Sequence, residues 1–159
     1  MWRQVDVNRR RFLLGAGALA LVGGAFAATE GRNLFYTALS EGVDAQIDVA
    51  TAHDLASSGE ILLIDIRRPD EWAATGSPAS GHRLDMRRED FTDALLDLTG
   101  GSADARIALI CMRGVRSSRM TNRLIEAGFT NVMDVPEGML GSAAGPGWIN
   151  AGLPLNRNS

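Results

Sequence analysis

The chain has 159 residues, of which 45% are hydrophobic and 22% are charged, and its formal net charge at pH 7 is −3. This composition suits one ordinary globular domain with a short appendage, and it excludes a disordered chain, which would be poorer in apolar residues. The single Cys excludes a fold held together by disulfides. The negative net charge provides no overall attraction to nucleic acid, so we expect no nucleic-acid partner.

Residues 1–27 are predicted to be an export signal and not part of the fold. Three arginines at positions 9–11 precede an uncharged run of small and apolar residues at 12–28, and Ala25-Phe26-Ala27 is typical of a cleavage site. The run is short for a membrane span, which needs about 20 apolar residues, although an uncleaved anchor stays open. The arginines followed by Phe12-Leu13 resemble a twin-arginine signal. We therefore expect the twin-arginine export machinery as a partner and a periplasmic location. Any membrane contact, including anchoring to the inner membrane, would be made only through this segment if it stays uncleaved.

Residues 28–42 are predicted to be a lead-in segment that precedes the fold, and residues 43–155 are predicted to form one α/β domain. Short apolar strands alternate with short helices, which predicts three layers built on a mainly parallel five-stranded sheet flanked by helices. The strand candidates are residues 43–49, 61–66, 82–86, 107–111 and 132–135. The helix candidates are residues 51–56, 71–74, 90–98 and 117–127. Without residues 1–27 the net charge falls to −6, so any anionic ligand must be held by a local group of donors.

The chemistry is predicted to lie where the fourth strand candidate ends at Cys111. Arg113 and Arg116 follow this cysteine, and a helix is expected to begin at Ser117. Ligands of α/β domains bind at the carboxyl ends of strands, where backbone N–H groups and helix amino termini meet. Such donors, together with the two arginines, would stabilise a thiolate, and Gly114 would allow the chain to turn with a positive φ. The alternative is a buried structural cysteine.

Several segments, taken in order, resemble the rhodanese family. Residues 63–67 match an apolar strand that ends in Asp-x-Arg, and Glu71-Trp72 match a Glu-aromatic pair. Residues 75–82 are similar to the Gly-x-x-Pro-x-(Gly-Ala)-His segment, from which Ser80-Gly81 departs. Residues 111–117 resemble the active loop Cys-x-x-Gly-x-Arg-Ser, and residues 124–154 follow the closing pattern. The resemblance covers residues 45–155.

This resemblance implies a sulfurtransferase, in which Cys111 takes the outer sulfur of thiosulfate or a similar small anionic donor as a persulfide. The acceptor would be cyanide or a thiol, and neither a metal nor an organic cofactor is needed. Asp65 and Arg67 would support the loop as an ion pair, with substrate binding as the alternative. The residues implied to bind substrate are Met112, Arg113, Gly114, Val115, Arg116 and Ser117.

Two other functions stay open at this point. A cysteine phosphatase or arsenate reductase also uses a thiolate in an anion-sized loop, but such loops hold five residues between Cys and Arg. Four residues separate Cys111 from Arg116 here, and the smaller ring suits a single sulfur atom better. The other alternative is a non-catalytic module that carries sulfur or binds a partner. His53 and His82 show no metal-ligand spacing, so no metal site is expected.

Overall fold

A computed structural model describes residues 45–158. The helices of this part of the chain are α1 (Val49–Ser57), α2 (Pro69–Thr75), α3 (Phe91–Leu98), α4 (Val115–Glu126) and α5 (Gly147–Asn150). Its strands are β1 (Leu62–Asp65), β2 (Ser77–Pro78), β3 (His82–Arg83), β4 (Ile107–Ile110), β5 (Val132–Asp134) and β6 (Leu155–Asn156). The predicted export signal, the lead-in and residues 43–44 lie outside the described residues.

The central sheet has the strand order β3-β1-β4-β5, and every neighbouring pair is parallel. Its two middle strands read Leu-Leu-Ile-Asp and Ile-Ala-Leu-Ile, because a strand that is buried on both faces carries apolar residues continuously. The sequence therefore predicts these strands correctly. A separate antiparallel pair, β2 with β6, lies outside this sheet.

Two apolar clusters cover the two faces of the sheet and complete three layers. Ile64, Ile107 and Leu109 point into the cluster that contains residues of α3 and α4. Leu63, Ala108 and Ile110 point into the opposite cluster, which contains residues of α1 and α5, including the fully buried Trp148. The alternation of the side chains along β1 and β4 assigns each to one face. The predicted α/β class with a mainly parallel sheet is confirmed.

The sheet of the described residues has four strands where the sequence predicts five. The described part of the candidate at residues 43–49, from position 45 on, contributes a single parallel bridge, between Gln46 and Asp134. Asp48 ends the extended segment because its Oδ1 accepts a hydrogen bond from the Thr51 backbone N–H at 2.8 Å, which caps α1 at its amino end. Val49 is consequently the first residue of α1 and not the last residue of a strand.

Other boundaries differ for local reasons. The candidate at residues 82–86 is a strand only over His82–Arg83, although the N–H groups of Leu84 and Met86 still donate to carbonyls of Asp65 and Ile66. Helix α4 begins at Val115, two residues before the predicted start. Helix α5 and the paired strands β2 and β6 have no counterpart among the predicted elements. No helix within residues 45–158 is long and apolar enough to cross a membrane.

Candidate active site

The cysteine loop, defined here as residues 111–117, connects the end of β4 to the first turn of α4. Cys111 directly follows β4, and only 1% of its surface is exposed. The Cys111 carbonyl accepts a hydrogen bond from the Met139 N–H at 2.9 Å, and the Met112 carbonyl accepts one from the Leu140 N–H at 3.0 Å. The segment after β5 therefore holds the first half of the loop in place.

Two glycines allow this close approach of two backbone segments. Gly114 has φ +85°, as the sequence predicts, and a Cβ atom there would overlap the backbone of Pro136. Gly138 has φ +65°, and a Cβ atom there would lie 2.7 Å from the backbone nitrogen of Arg113. A side chain at either position would thus push residues 136–138 away from the loop.

The amino end of α4 presents Ser117 to the sulfur. The first backbone N–H that bonds within this helix is that of Ser118, which donates to the Gly114 carbonyl at 3.0 Å. The N–H groups of the preceding turn are thus without an intrahelical acceptor and concentrate positive partial charge at this end. The Ser117 hydroxyl is within 3.5 Å of the Cys111 sulfur and 3.0 Å of the Gly114 carbonyl oxygen. Its one proton can serve only one of these acceptors at a time.

Arg116 is held beside the sulfur by a glutamate from α2. Its Nη1 and Nη2 donate to the two carboxylate oxygens of Glu71 at 2.7 and 2.6 Å. The hydrogen bonds with Arg116 lower the pKa of Glu71. The pKa of Arg116 is raised, first by its hydrogen bonds with Glu71 and further by the negative charge of a Cys111 thiolate. Arg116 therefore interacts with both the carboxylate and the sulfur.

The other predicted loop arginine is directed elsewhere. The Arg113 Nη1 donates to the carbonyl oxygen of Gly141 at 3.1 Å, which ties the loop to the segment that follows Gly138. Met112 and Gly114 belong to the loop itself, and Val115 is the first residue of α4. The structure thus brings Cys111, Arg116 and Ser117 together.

Asp65 and Arg67 form a fully buried ion pair behind the site. The Arg67 Nη2 lies 2.7 Å from the Asp65 Oδ2, and both side chains are inaccessible to solvent. The remaining Arg67 donors bind the end of α2, through the Thr75 hydroxyl at 2.9 Å and the Gly76 carbonyl at 2.6 Å. Since α2 also carries Glu71, the pair reaches the cysteine loop through α2 and the Glu71–Arg116 contact.

A buried carboxyl group lies on the other side of Ser117. Asp134, the last residue of β5, is fully buried, and burial raises its pKa to about 7. The nearby Ser117 hydroxyl and Val135 N–H oppose this rise by favouring the ionised form, although the Val135 N–H donates its hydrogen bond to the Leu109 carbonyl. Within residues 45–158, no group of three or more His, Cys, Asp or Glu side chains is placed to hold a metal ion.

Comparison with known proteins assigns the family. Residues 48–144, more than half of the chain, match the model of the rhodanese-like domain. The chain belongs to the rhodanese-like domain family. Among its relatives is thiosulfate sulfurtransferase 16 of Arabidopsis thaliana, which is 32% identical over 123 residues that cover 70% of this chain and 92% of the plant protein.

Solved structures confirm the rhodanese-like fold. The polysulfide-sulfur transferase homodimer from Wolinella succinogenes has a TM-score of 0.58 at 24% identity, and the match covers 86% of this chain and 90% of that one. A thiosulfate sulfurtransferase from Pseudomonas aeruginosa has a TM-score of 0.57 at 22% identity and covers 72% of this chain and 20% of that one. At such identities the likeness extends to the fold alone.

Sequence reasoning missed two residues of this rhodanese-like site. Glu71 is part of the resemblance, but its role as the partner of Arg116 depends on a contact across 45 positions of the sequence. Asp134 gives one signal, an acid directly before Val135 at the end of an otherwise apolar strand. That signal does not show that α4 covers the carboxyl group.

Proposed function

We propose that this rhodanese-like domain is a sulfurtransferase that carries sulfur as a persulfide on Cys111. The observation that carries the proposal is the placement of the only cysteine, at the carboxyl end of β4, against the amino end of α4 and within the influence of Arg116. This environment directs positive charge toward the sulfur, as a developing negative charge on sulfur requires. Relatives named as sulfurtransferases support the same reaction.

The reaction has two steps. The Cys111 thiolate attacks the outer sulfur of thiosulfate or a similar small anionic donor, the donor's S–S bond breaks, and sulfite leaves with the bonding electron pair. An acceptor, either cyanide or a thiol, then attacks the outer sulfur of the persulfide and releases Cys111 as a thiolate. We expect neither step to need a metal or an organic cofactor.

The loop residues have distinct roles in this proposal. Backbone N–H groups of residues 112–116 would hold the terminal sulfur, since donors fixed in advance need no reorganisation during the reaction. Arg116 would attract the anionic donor while Glu71 keeps the guanidinium in place. The Ser117 hydroxyl would donate to the Cys111 sulfur, and Asp65 with Arg67 would support α2 beneath Glu71.

Mass spectrometry of the purified protein tests the proposal. After thiosulfate treatment the wild type should gain one sulfur, ~32 Da, and release one equivalent of sulfite, whereas Cys111→Ser should gain nothing. Cys111→Ala is a second control, because both variants keep a small side chain at a buried position. A gain of sulfur by either variant would contradict the role of Cys111.

A carrier module is the second candidate function. The Arg116 guanidinium is already paired with the Glu71 carboxylate, which leaves it less available to bind an anionic donor such as thiosulfate. A carrier would accept sulfur from a protein persulfide but not from thiosulfate. Loading from a persulfidated donor protein alone would therefore favour the carrier. Hydrolysis of an aryl phosphate by the wild type but not by Cys111→Ser would indicate a phosphatase.

We also propose that residues 1–27 direct the rhodanese-like domain to the periplasm through the twin-arginine machinery. The support is the sequence of this segment, with its arginines at 9–11, its uncharged run and its Ala25-Phe26-Ala27 site. Sulfur transfer would then take place outside the cytoplasm, or at the inner membrane if the segment is retained as an anchor.

A further inference from the structure

A small polar cluster is buried between β5 and α4, behind the catalytic sulfur. Its members are Asp134, Ser117 and Thr121, and all three are fully buried. Within the described part of the chain, neither carboxylate oxygen of Asp134 has a hydrogen-bond partner, and the Thr121 hydroxyl has none either. Buried polar groups without partners are costly and uncommon, so a carboxyl group left in this state requires an explanation.

Ser117 connects this cluster to the reacting sulfur. Ser117 and Thr121 are four residues apart on the buried face of α4, so they are neighbours on the side that packs against β5. The Ser117 hydroxyl lies 3.5 Å from the Cys111 sulfur and 3.0 Å from the Gly114 carbonyl oxygen, and in this conformation it makes no hydrogen bond to Asp134. The Asp134 carboxyl group nevertheless faces the same helix, because Asp134 is two residues from Val132, which packs in the cluster with α4. Ser117 is near enough to favour the ionised form of Asp134. The Asp134 carboxylate is therefore a third possible acceptor for the one hydroxyl proton, besides the sulfur and the Gly114 carbonyl.

The other groups around Asp134 are apolar or turned away. Strand β4 pairs with β5 through Leu109 opposite Asp134 and has only apolar side chains. On α4 Arg116 is bound to Glu71, and the other charged residues, Arg119, Arg123 and Glu126, are exposed. The segment before α1 pairs with β5 through its backbone, and its charged residue Asp48 is exposed. Among the described residues, no charged group shifts the pKa of Asp134, which responds only to burial, the Ser117 hydroxyl and the Val135 N–H.

We propose that Asp134 is a positioning residue that directs the Ser117 hydroxyl toward the Cys111 sulfur, and that it does so only in its protonated form. Protonated Asp134 donates its O–H to the Ser117 oxygen, which leaves the Ser117 proton free for the sulfur. Ionised Asp134 accepts the Ser117 proton, so the sulfur loses a donor and gains a negative neighbour. Only hydrogen bonds rearrange, apart from the proton that Asp134 exchanges with solvent.

This inference rests on the proposed function and concerns its second step. When an acceptor takes the outer sulfur, negative charge develops on the Cys111 sulfur as it leaves the persulfide. A hydrogen bond donated to that sulfur is stronger in this transition state than in the persulfide itself, so the hydrogen bond accelerates the step. Because burial places the titration of Asp134 near pH 7, the acceleration should be lost as the pH rises through neutrality.

The kinetic test follows discharge of the preformed persulfide to cyanide between pH 5.5 and 8.5, in the wild type and in Asp134→Asn. The asparagine is neutral at every pH and keeps a donor for the Ser117 oxygen. The pH dependence that comes from the titration of the acceptor affects both rates equally, so it cancels in their ratio. We expect this ratio to fall about tenfold between the lowest and the highest pH, the effect of losing one hydrogen bond to a charged group. A ratio independent of pH overturns the proposal.

A second measurement does not depend on sulfur transfer or on the folding of Asp134→Asn. Carboxyl NMR of the wild type should show Asp134 titrating near pH 7. In Ser117→Ala the midpoint should rise, because the group that favours ionisation is gone. Thr121→Val is the matched control on the same buried face, and it should leave the midpoint unchanged. A midpoint near 4 in the wild type, no change in Ser117→Ala, or an equal change in Thr121→Val overturns the inference.

The two hypotheses fail in different ways. A wild type that takes no sulfur from any donor overturns the proposed function, while the NMR titration still decides whether Asp134 and Ser117 are coupled. A wild type that transfers sulfur with a pH-independent rate ratio supports the proposed function and overturns the role of Asp134.

Discussion

Removing the charge of Glu71 should loosen the cysteine loop from a distance. Glu71→Gln keeps the size of the side chain but loses one of the two charge-assisted hydrogen bonds to Arg116 and leaves that guanidinium without a counter-charge. The Glu71 and Arg116 side chains are 11% and 32% exposed, so water compensates part of the loss. We expect the variant to be less stable by about 1–2 kcal/mol, since a hydrogen bond to a charged group contributes about 1.5–3 kcal/mol before this discount.

In thermal unfolding at pH 7, the lower stability of Glu71→Gln should appear as a decrease in Tm of about 4–8 °C for a domain of this size. Sulfur loading from thiosulfate should slow by about tenfold, because Arg116 is no longer fixed beside Cys111. Asp70→Asn is the matched control, since Asp70 is the preceding residue and pairs with Arg68 at the exposed surface. Equal stability and equal loading rates for Glu71→Gln and Asp70→Asn would refute the reasoning.

The same pair predicts a pH dependence of stability with a definite sign. Arg116 lowers the pKa of Glu71 below the ordinary value of 4.5. The ion pair therefore contributes fully above pH 4.5, and its contribution is lost as the pH falls through the lower folded-state pKa. Wild type and Glu71→Gln should differ most at neutral pH and converge in strong acid.

Three further predictions concern the backbone, the kinetics and export. Gly138→Ala should lower the free energy of unfolding by about 1–3 kcal/mol more than Gly152→Ala does, because both glycines have a positive φ but only Gly138 of the two lies against another backbone. Equal decreases for the two variants in denaturant unfolding would contradict this. With one Cys in the chain, no second thiol can resolve the persulfide, so grids of thiosulfate and cyanide concentration should give parallel double-reciprocal lines, and intersecting lines would exclude the persulfide route. Replacing Arg9, Arg10 and Arg11 by Lys should block export while keeping the charge, and normal periplasmic amounts of this variant would refute the twin-arginine signal.

The fold was predictable where local pattern and burial agree. Strands β1 and β4 are buried on both faces, so their residues had to be continuously apolar, and the pattern identifies them. The failure at residues 43–49 has the opposite cause. Apolar residues are spread through that segment, and the capping bond of Asp48, a single local contact, decides where extension ends and α1 begins.

In the candidate site, the residues of the cysteine loop were predictable from the sequence, whereas the residues that hold the loop in place were not. Cys111, Gly114 and Arg116 lie within six residues, so spacing alone shows that they share one loop. The contacts that fix this loop are made by residues that are distant from it in the sequence. Glu71 is 45 residues from Arg116, and the Gly138 backbone approaches that of Met112 and Arg113 only because β5 pairs with β4.

Three separate elements thus determine the state of one sulfur atom. Helix α2 fixes Arg116 through Glu71, and the segment after β5 fixes the backbone of the loop. Asp134 in β5 is the third, by our proposal through Ser117. Each contact reaches a different part of the loop, so their losses should be separable. Glu71→Gln should slow the loading of sulfur, and Asp134→Asn should change how its discharge depends on pH. The Cys-x-x-Gly-x-Arg-Ser pattern therefore indicates the proposed chemistry, whereas we expect residues outside that pattern to set its rate and its pH dependence.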